Sequence, residues 1–425
     1  MKNILFIAYL YPPIVNSGTR RSLEFVNHLP DYGWNPIVLT VENPAARFCA
    51  PALLDEVRVG TLIERVPFWT DTIAERLGNF FNYFIDRERL TEGLKWRFRN
   101  FFSIPDECAG WLPTAVCKGI EICHLHKVDV IYATGWPWTA FLIAAEVSRR
   151  TNIPFVIDYR DLWKSSGVEW DKRSRIQDLF NPFLENMVLQ RAAAVVTTTS
   201  RFAETLRGGK VNGKFISITN GFNPVDFAHN PRPRLKSKKG CLRIVYTGVS
   251  RPGYGPDDLY RAIKELKNSA ECPTQLEVIV AGFPPGLAGE YGIQDIVEEQ
   301  GQLSHTKAIE LMQSADVLYL PVSRGIYETA SIPGKLFEYI GSGRPILAVV
   351  PEESEVASIL AEIGGAFCVE PGNLQKLITS IEALCKMKND SFFTERRSDV
   401  IEQFTRKSLT KKLADLFDSV VDNEK

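Results

Sequence analysis

The stretch Ser331-Ile332-Pro333-Gly334-Lys335-Leu336-Phe337-Glu338-Tyr339-Ile340 decides the reading of this chain. Gly341-Ser342-Gly343-Arg344-Pro345 and the apolar run Ile346-Leu347-Ala348-Val349-Val350 follow it. The pattern predicts a helix from about Ser331, a glycine turn and a buried strand. Proline is tolerated in a first helical turn, where the amides have no intrahelical partner. Gly341 and Gly343 suit the exit turn. Leu336 and Ile340 share the face that would pack on a sheet. Lys335 and Glu338, three apart, share another. An ammonium and a carboxylate near a helix N-terminus suit a ligand that carries phosphates and hydroxyls. The same pair also reads as a surface ion pair on an ordinary amphipathic helix.

Working outward, the alternation of strand and helix continues in both directions. Upstream come strands Leu242–Thr247, Leu276–Ala281 and Val317–Pro321, with helices Pro256–Lys267 and Ser304–Gln313 between them. Downstream come helix Val356–Ile363, strand Ala366–Val369 and helix Leu374–Lys386. A second series fills the first half of the chain. Ile4–Ala8 and Ile37–Val41 flank a helix from about Thr19 to Leu29. Strands at Val57–Val66, Val130–Ala133, Pro154–Asp158, Ala194–Thr198 and Phe215–Thr219 follow. Continuous short apolar runs are the signature of strands buried on both faces. The alternation predicts two open parallel sheets, each covered by helices. Residues 228–240, rich in Pro, Gly and basic side chains, read as a linker. The expected domains are therefore 1–225 and 226–399. An amphipathic C-terminal helix, about 400–425, completes the first, with Leu409, Leu413, Leu416 and Val420 on one face.

Composition sets the limits. A chain of 425 residues has room for two or three cores. A net charge of −1 gives no field that would attract nucleic acid. The eight cysteines include no Cys-x-x-Cys pair, so free thiols and a cytoplasmic setting are expected. No run approaches the roughly 18 apolar residues of a membrane span. Neither half shows Gly-x-Gly-x-x-Gly after its first strand, and there is no Walker loop, which argues against nicotinamide chemistry and nucleotide hydrolysis. His124-Leu125-His126 has no third ligand near it in sequence, so no metal site is expected.

Several segments in order carry a resemblance. They are Tyr11-Pro12-Pro13 with Ser17-Gly18-Thr19-Arg20; Asp158-Tyr159-Arg160-Asp161-Leu162-Trp163; Ile218-Thr219-Asn220-Gly221-Phe222; Val245-Tyr246-Thr247-Gly248; Gly301-Gln302-Leu303-Ser304-His305; and the Ser331–Tyr339 stretch. Together they resemble the family-4 retaining glycosyltransferases, of GT-B fold with two facing Rossmann-like domains, and most of all the bacterial subgroup that builds surface polysaccharides. The resemblance implies a nucleotide-sugar donor, UDP-linked, held by the C-terminal domain without a metal or other cofactor. Glu338 then matches the glutamate that binds the ribose hydroxyls. Lys335 and Arg251 would neutralise the diphosphate, whose charge grows as it leaves. Gly18 would let backbone amides approach the diphosphate, and Ser331 lies on the donor side. Retention in this family demands no protein nucleophile, and none is assigned. Arg160 and Asp161, at the end of a strand, are candidates for the reacting centre. Arg20, Asp158 and Trp163 are candidates for the acceptor side, Trp163 by stacking on a sugar. Arg20 reads equally well as a surface residue, and an Arg-Asp pair equally well as a loop brace.

The chain departs from the family pattern in three places. Ala330 stands where the first of two glutamates is expected, with Glu328 two residues away. Arg251 lacks the lysine that usually follows it, a place Lys335 is suited to fill. The region Thr134-Gly135-Trp136-Pro137-Trp138 lacks the family's histidine. The acceptor is expected to be a glycan or a lipid-linked molecule. Residues 77–102 interleave aromatic side chains with arginine and lysine, which suits contact with an anionic membrane at its inner face. A nucleotide-sugar epimerase of the same fold, or a non-catalytic partner that binds a nucleotide sugar, are the alternative functions.

Overall fold

The computed structural model describes residues 1–42, 49–69, 104–163, 175–208, 214–228, 241–248, 255–269, 276–322, 325, 329–387 and 396–423. Arg251, Glu328, the 77–102 segment and linker residues 229–240 lie outside the described residues. The chain divides into two compact units. Unit 1 holds Met1–Thr219 and Leu409–Lys425, and unit 2 holds Asn220–Ser408.

Unit 1 is built on strands β1 (Lys2–Ala8), β2 (Trp34–Val41), β3 (Leu62–Val66), β4 (Val130–Gly135), β5 (Phe155–Tyr159), β6 (Ala194–Thr197) and β7 (Lys214–Ser217). They form a seven-stranded sheet in the order β3-β2-β1-β4-β5-β6-β7. Every pairing is parallel. Successive residues of β1 serve opposite cores, as the twofold period of a strand requires. Leu5 and Ile7 pack into one core, and Ile4, Phe6 and Ala8 into the other. The second core is closed by helix Arg406–Asp422, which buries Leu409, Leu413, Leu416, Phe417 and Val420. The Phe417 ring meets Trp34 at 5.4 Å and Tyr132 at 5.7 Å. The amphipathic face read from the sequence is thus the face that is buried.

Unit 2 holds strands β8 (Leu242–Thr247), β9 (Leu276–Ala281), β10 (Val297–Gln300), β11 (Val317–Pro321), β12 (Ile346–Val349) and β13 (Ala366–Val369). The sheet order is β10-β9-β8-β11-β12-β13, again with every pairing parallel. Ile244 and Tyr246 face one core, and Val245 faces the other. Both sheets reverse direction of growth beside their first strand. In such sheets ligands bind past the carboxyl ends of the strands at that point.

One expectation is corrected here. The decisive helix begins at Lys335, not near Ser331, and runs to Gly341. Pro333 disfavours helical backbone at Ile332, so Ser331 and Ile332 stay outside. The helix opens on turns closed by Leu336 N to Pro333 O and Phe337 N to Gly334 O.

Candidate functional site

In unit 2 the site is assembled at the ends of β8 and β9. Thr247 pairs with Ala281, the last residues of these two strands. Glycines follow both, Gly248 and Gly282. Gly282 has φ +94°, and a Cβ there would collide with the Gly248 carbonyl. Its amide donates to Gln300 O and Gly301 O, at 3.1 Å each. The two backbones therefore abut in a way that only glycine at 282 permits.

Helix Lys335–Gly341 is pinned to this edge at two points. The Tyr339 hydroxyl accepts from Thr247 N at 3.0 Å. One turn earlier, Lys335 Nζ donates to the Tyr246 hydroxyl at 2.7 Å and lies 4.1 Å from the centre of that ring. Burial pushes both phenols up, Tyr339 to about 12, so Tyr246 stays a neutral acceptor. Gly248 makes the seat for the ammonium, since a Cβ there would strike Lys335 Nζ and come within 2.5 Å of the Tyr246 hydroxyl. Leu336, Phe337 and Ile340 fill the core beneath. Glu338 projects on another side, where its Oε1 is 3.8 Å from His305 Nδ1. His305 Nε2 is in turn 3.4 Å from Asp226 Oδ2. Lys335 and Glu338 are both half-buried. Ser331 and Ala330 are half-buried in the chain before the helix.

Unit 1 brings a second group of side chains to the ends of β4 and β5. Arg160 donates from Nε to Gly135 O and from Nη2 to Trp136 O, at 2.5 Å each. Its guanidinium lies against Gly18, where a Cβ would overlap it. Gly18 and Arg160 are thus in contact, and Gly18 accommodates a side chain of its own unit. Burial draws the Arg160 pKa down, against the opposing pull of Asp161 and Asp158. Asp161 beside it is half-buried.

Two acceptor-side expectations are corrected. Asp158 is fully buried and braces Arg21, accepting from Nε at 2.8 Å and Nη2 at 3.0 Å. Tyr132 donates to the same carboxylate at 2.6 Å, and Arg21 also donates to Ile218 O and Thr219 O at 2.8 Å each. Burial works against the charged guanidinium, but Asp158 outweighs it and the Arg21 pKa is raised. Trp163 is fully buried and stacks on Trp138, with centroids 5.5 Å apart and planes 9° off parallel. It has no face left for a sugar. Arg20 is held by Glu56, with Nη2 to Oε1 at 3.2 Å.

Sequence reasoning passed over Arg21, Tyr246, Asp226 and His305. Arg21 carried one signal, being four residues before buried Phe25 on the same helical face. His305 stood inside a quoted motif, but nothing in the sequence paired it with Glu338. Among the described residues, no group of three or more His, Cys, Asp or Glu is placed to hold a metal ion.

Two parallel-sheet Rossmann-like units of this kind match the GT-B class of glycosyltransferase structures. Residues 18–214 match the model of the glycosyl transferase 4-like domain. The chain is similar in fold to a glycosyltransferase from Rickettsia africae ESF-5, with TM-score 0.66, 15% identity and 99% of each chain covered. It is likewise similar to HepE from Anabaena in complex with UDP, with TM-score 0.65, 15% identity, and 99% of this chain and 100% of that one covered. A putative UDP-N-acetylglucosamine 2-epimerase from Listeria monocytogenes aligns at TM-score 0.56 and 12% identity, over 100% and 98% of the two chains. No curated protein sequence matches.

Proposed function

We propose that this chain transfers a sugar, with retention, from a UDP-linked donor to a glycan or lipid-linked acceptor in surface-polysaccharide synthesis. The bond from the anomeric carbon to the diphosphate breaks, and the acceptor oxygen takes its place. The acceptor proton passes to the departing diphosphate oxygen or to water, and UDP departs. The observation that supports this reading is the placement of Lys335 and Glu338 on one short helix at the ends of β8 and β9. In this reading Glu338 accepts from the ribose hydroxyls, and Lys335 and Arg251 hold the diphosphate in place of a metal. Fixed cations there stabilise the leaving group more as its charge develops. In unit 2, Ser331 belongs to the donor side. In unit 1, Gly18 seats Arg160, and Arg160 and Asp161 are the candidates for contact with the acceptor.

The test is turnover of a panel of UDP-sugars and GDP-sugars, with and without membrane-lipid extract as acceptor. Sugar incorporated into the extract, its anomeric configuration retained, is the expected result. A new nucleotide sugar formed from donor alone would instead indicate an epimerase. Binding with no turnover would indicate a nucleotide-sugar-binding partner.

Among the described residues no helix is long and apolar enough to cross a membrane. We propose contact with an anionic membrane through residues 77–102, which a lipid-linked acceptor would make useful. Co-sedimentation with phosphatidylglycerol vesicles at low salt is expected, and its absence would refute the contact.

A further inference from the structure

The geometry points to His305 as the positioning residue for Glu338. This inference rests on the donor-site reading of Glu338. Helix His305–Ser314 starts with Ser304 as its cap, Oγ accepting from Lys307 N. That fixes the backbone at His305, whose ring then lies between two carboxylates. Glu338 faces Nδ1 from helix Lys335–Gly341, at 3.8 Å. Asp226 faces Nε2 from helix Pro224–Ala228, at 3.4 Å.

A neutral imidazole has one N–H and one lone pair. It can satisfy one of these carboxylates only by turning its lone pair on the other. The imidazolium donates from both nitrogens and meets both. Two flanking carboxylates favour that charged form. Asp226 thus anchors the ring at hydrogen-bond distance, and the ring faces Glu338 Oε1 as an ion-pair partner at 3.8 Å. A carboxylate on a flexible stem loses rotamer freedom when it grips a ligand. Holding Glu338 beforehand removes part of that cost. Asp226, His305 and Glu338 all belong to unit 2.

The test is titration with UDP and, separately, GDP of wild type, His305→Ala, His305→Gln, Glu338→Ala and the His305→Ala/Glu338→Ala double variant, with the melting temperature of each. His305→Ala is expected to weaken binding about 2- to 5-fold, the scale of one partly exposed ion pair. His305→Gln, which keeps one donor, recovers part of it. In the Glu338→Ala background the His305 change has no further effect, because it acts through Glu338. Wild-type affinity falls as pH rises through the His305 ionisation, and His305→Gln lacks that step. A purely structural histidine would lower the melting temperature without this coupling or this pH step.

If Glu338→Ala weakens binding and neither His305 variant does, positioning is refuted and the donor reading survives. If the His305 effect persists undiminished without Glu338, positioning is again refuted. If wild type binds neither nucleotide, or Glu338→Ala binds as wild type does, the donor reading fails and takes this inference with it.

Discussion

Gly248→Ala probes the seat of Lys335 without removing its charge. A methyl group there would strike the ammonium and lie 2.5 Å from the hydroxyl and 2.9 Å from Cζ of Tyr246. The Tyr246 ring is fully buried and cannot retreat, so the flexible ammonium must leave. Its 2.7 Å bond to the hydroxyl is lost, as is the 4.1 Å contact with the ring. A hydrogen bond from the seated ammonium to a ligand phosphate is worth about 1.5–3 kcal/mol, or roughly 10- to 150-fold in affinity. A displaced lysine can still reach toward a phosphate by another rotamer, so the expected loss for UDP is at the low end, near 10-fold. Uridine has no phosphate, so its affinity should hardly change. Lys335→Ala should weaken UDP more than Gly248→Ala does. The assay is calorimetric titration of both ligands into each variant, with the melting temperature recorded to confirm folding. Unchanged UDP affinity in folded Gly248→Ala would refute the assignment of the seated ammonium to the diphosphate.

Asp158→Asn leaves the buried Arg21 guanidinium without its counter-charge, and should cost unit 1 about 3–5 kcal/mol in denaturant unfolding. Phe417→Ala empties a site between Trp34 and Tyr132. It should cost about 3–5 kcal/mol by the same measurement, showing that the last helix is part of the first core. The His28 pKa is raised, chiefly by the Glu24 carboxylate at 3.5 Å, with burial opposing and Asp31 helping. A raised folded pKa contributes stability in full below the unfolded value, near 6.5. That contribution disappears as pH rises through the folded value. His28→Gln should remove this pH-dependent step from unfolding curves recorded at intervals above pH 6.

Most of the fold could be read from the sequence because parallel strands buried on both faces leave continuous apolar runs. The strand Val297-Glu298-Glu299-Gln300 left no such run. Among the described residues it is the edge of its sheet, paired with β9, so its side chains remain partly in water and need not be apolar. The third strand was read as Val57–Val66, but it starts at Leu62. Gly60 at φ +89° and a turn closed by Thr61 N to Arg58 O intervene.

Which residues end the strands was legible in the sequence, and the direction of each side chain was not. The sequence places Asp158 and Trp163 at the end of β5, where ligands are expected, but not the way each side chain turns. Asp158 is claimed by Arg21, 137 residues earlier, and Trp163 by Trp138. Contacts of that sequence separation leave no local pattern. The Tyr246, His305 and Asp226 partners of Lys335 and Glu338 were hidden for the same reason.

The position of bound UDP in a crystal of the complex tests the donor site most directly. The expected result places the ribose hydroxyls within about 3 Å of the Glu338 carboxylate and the diphosphate beside Lys335. Ribose density away from Glu338, with Lys335 still bonded to Tyr246 and no phosphate near it, would contradict the account.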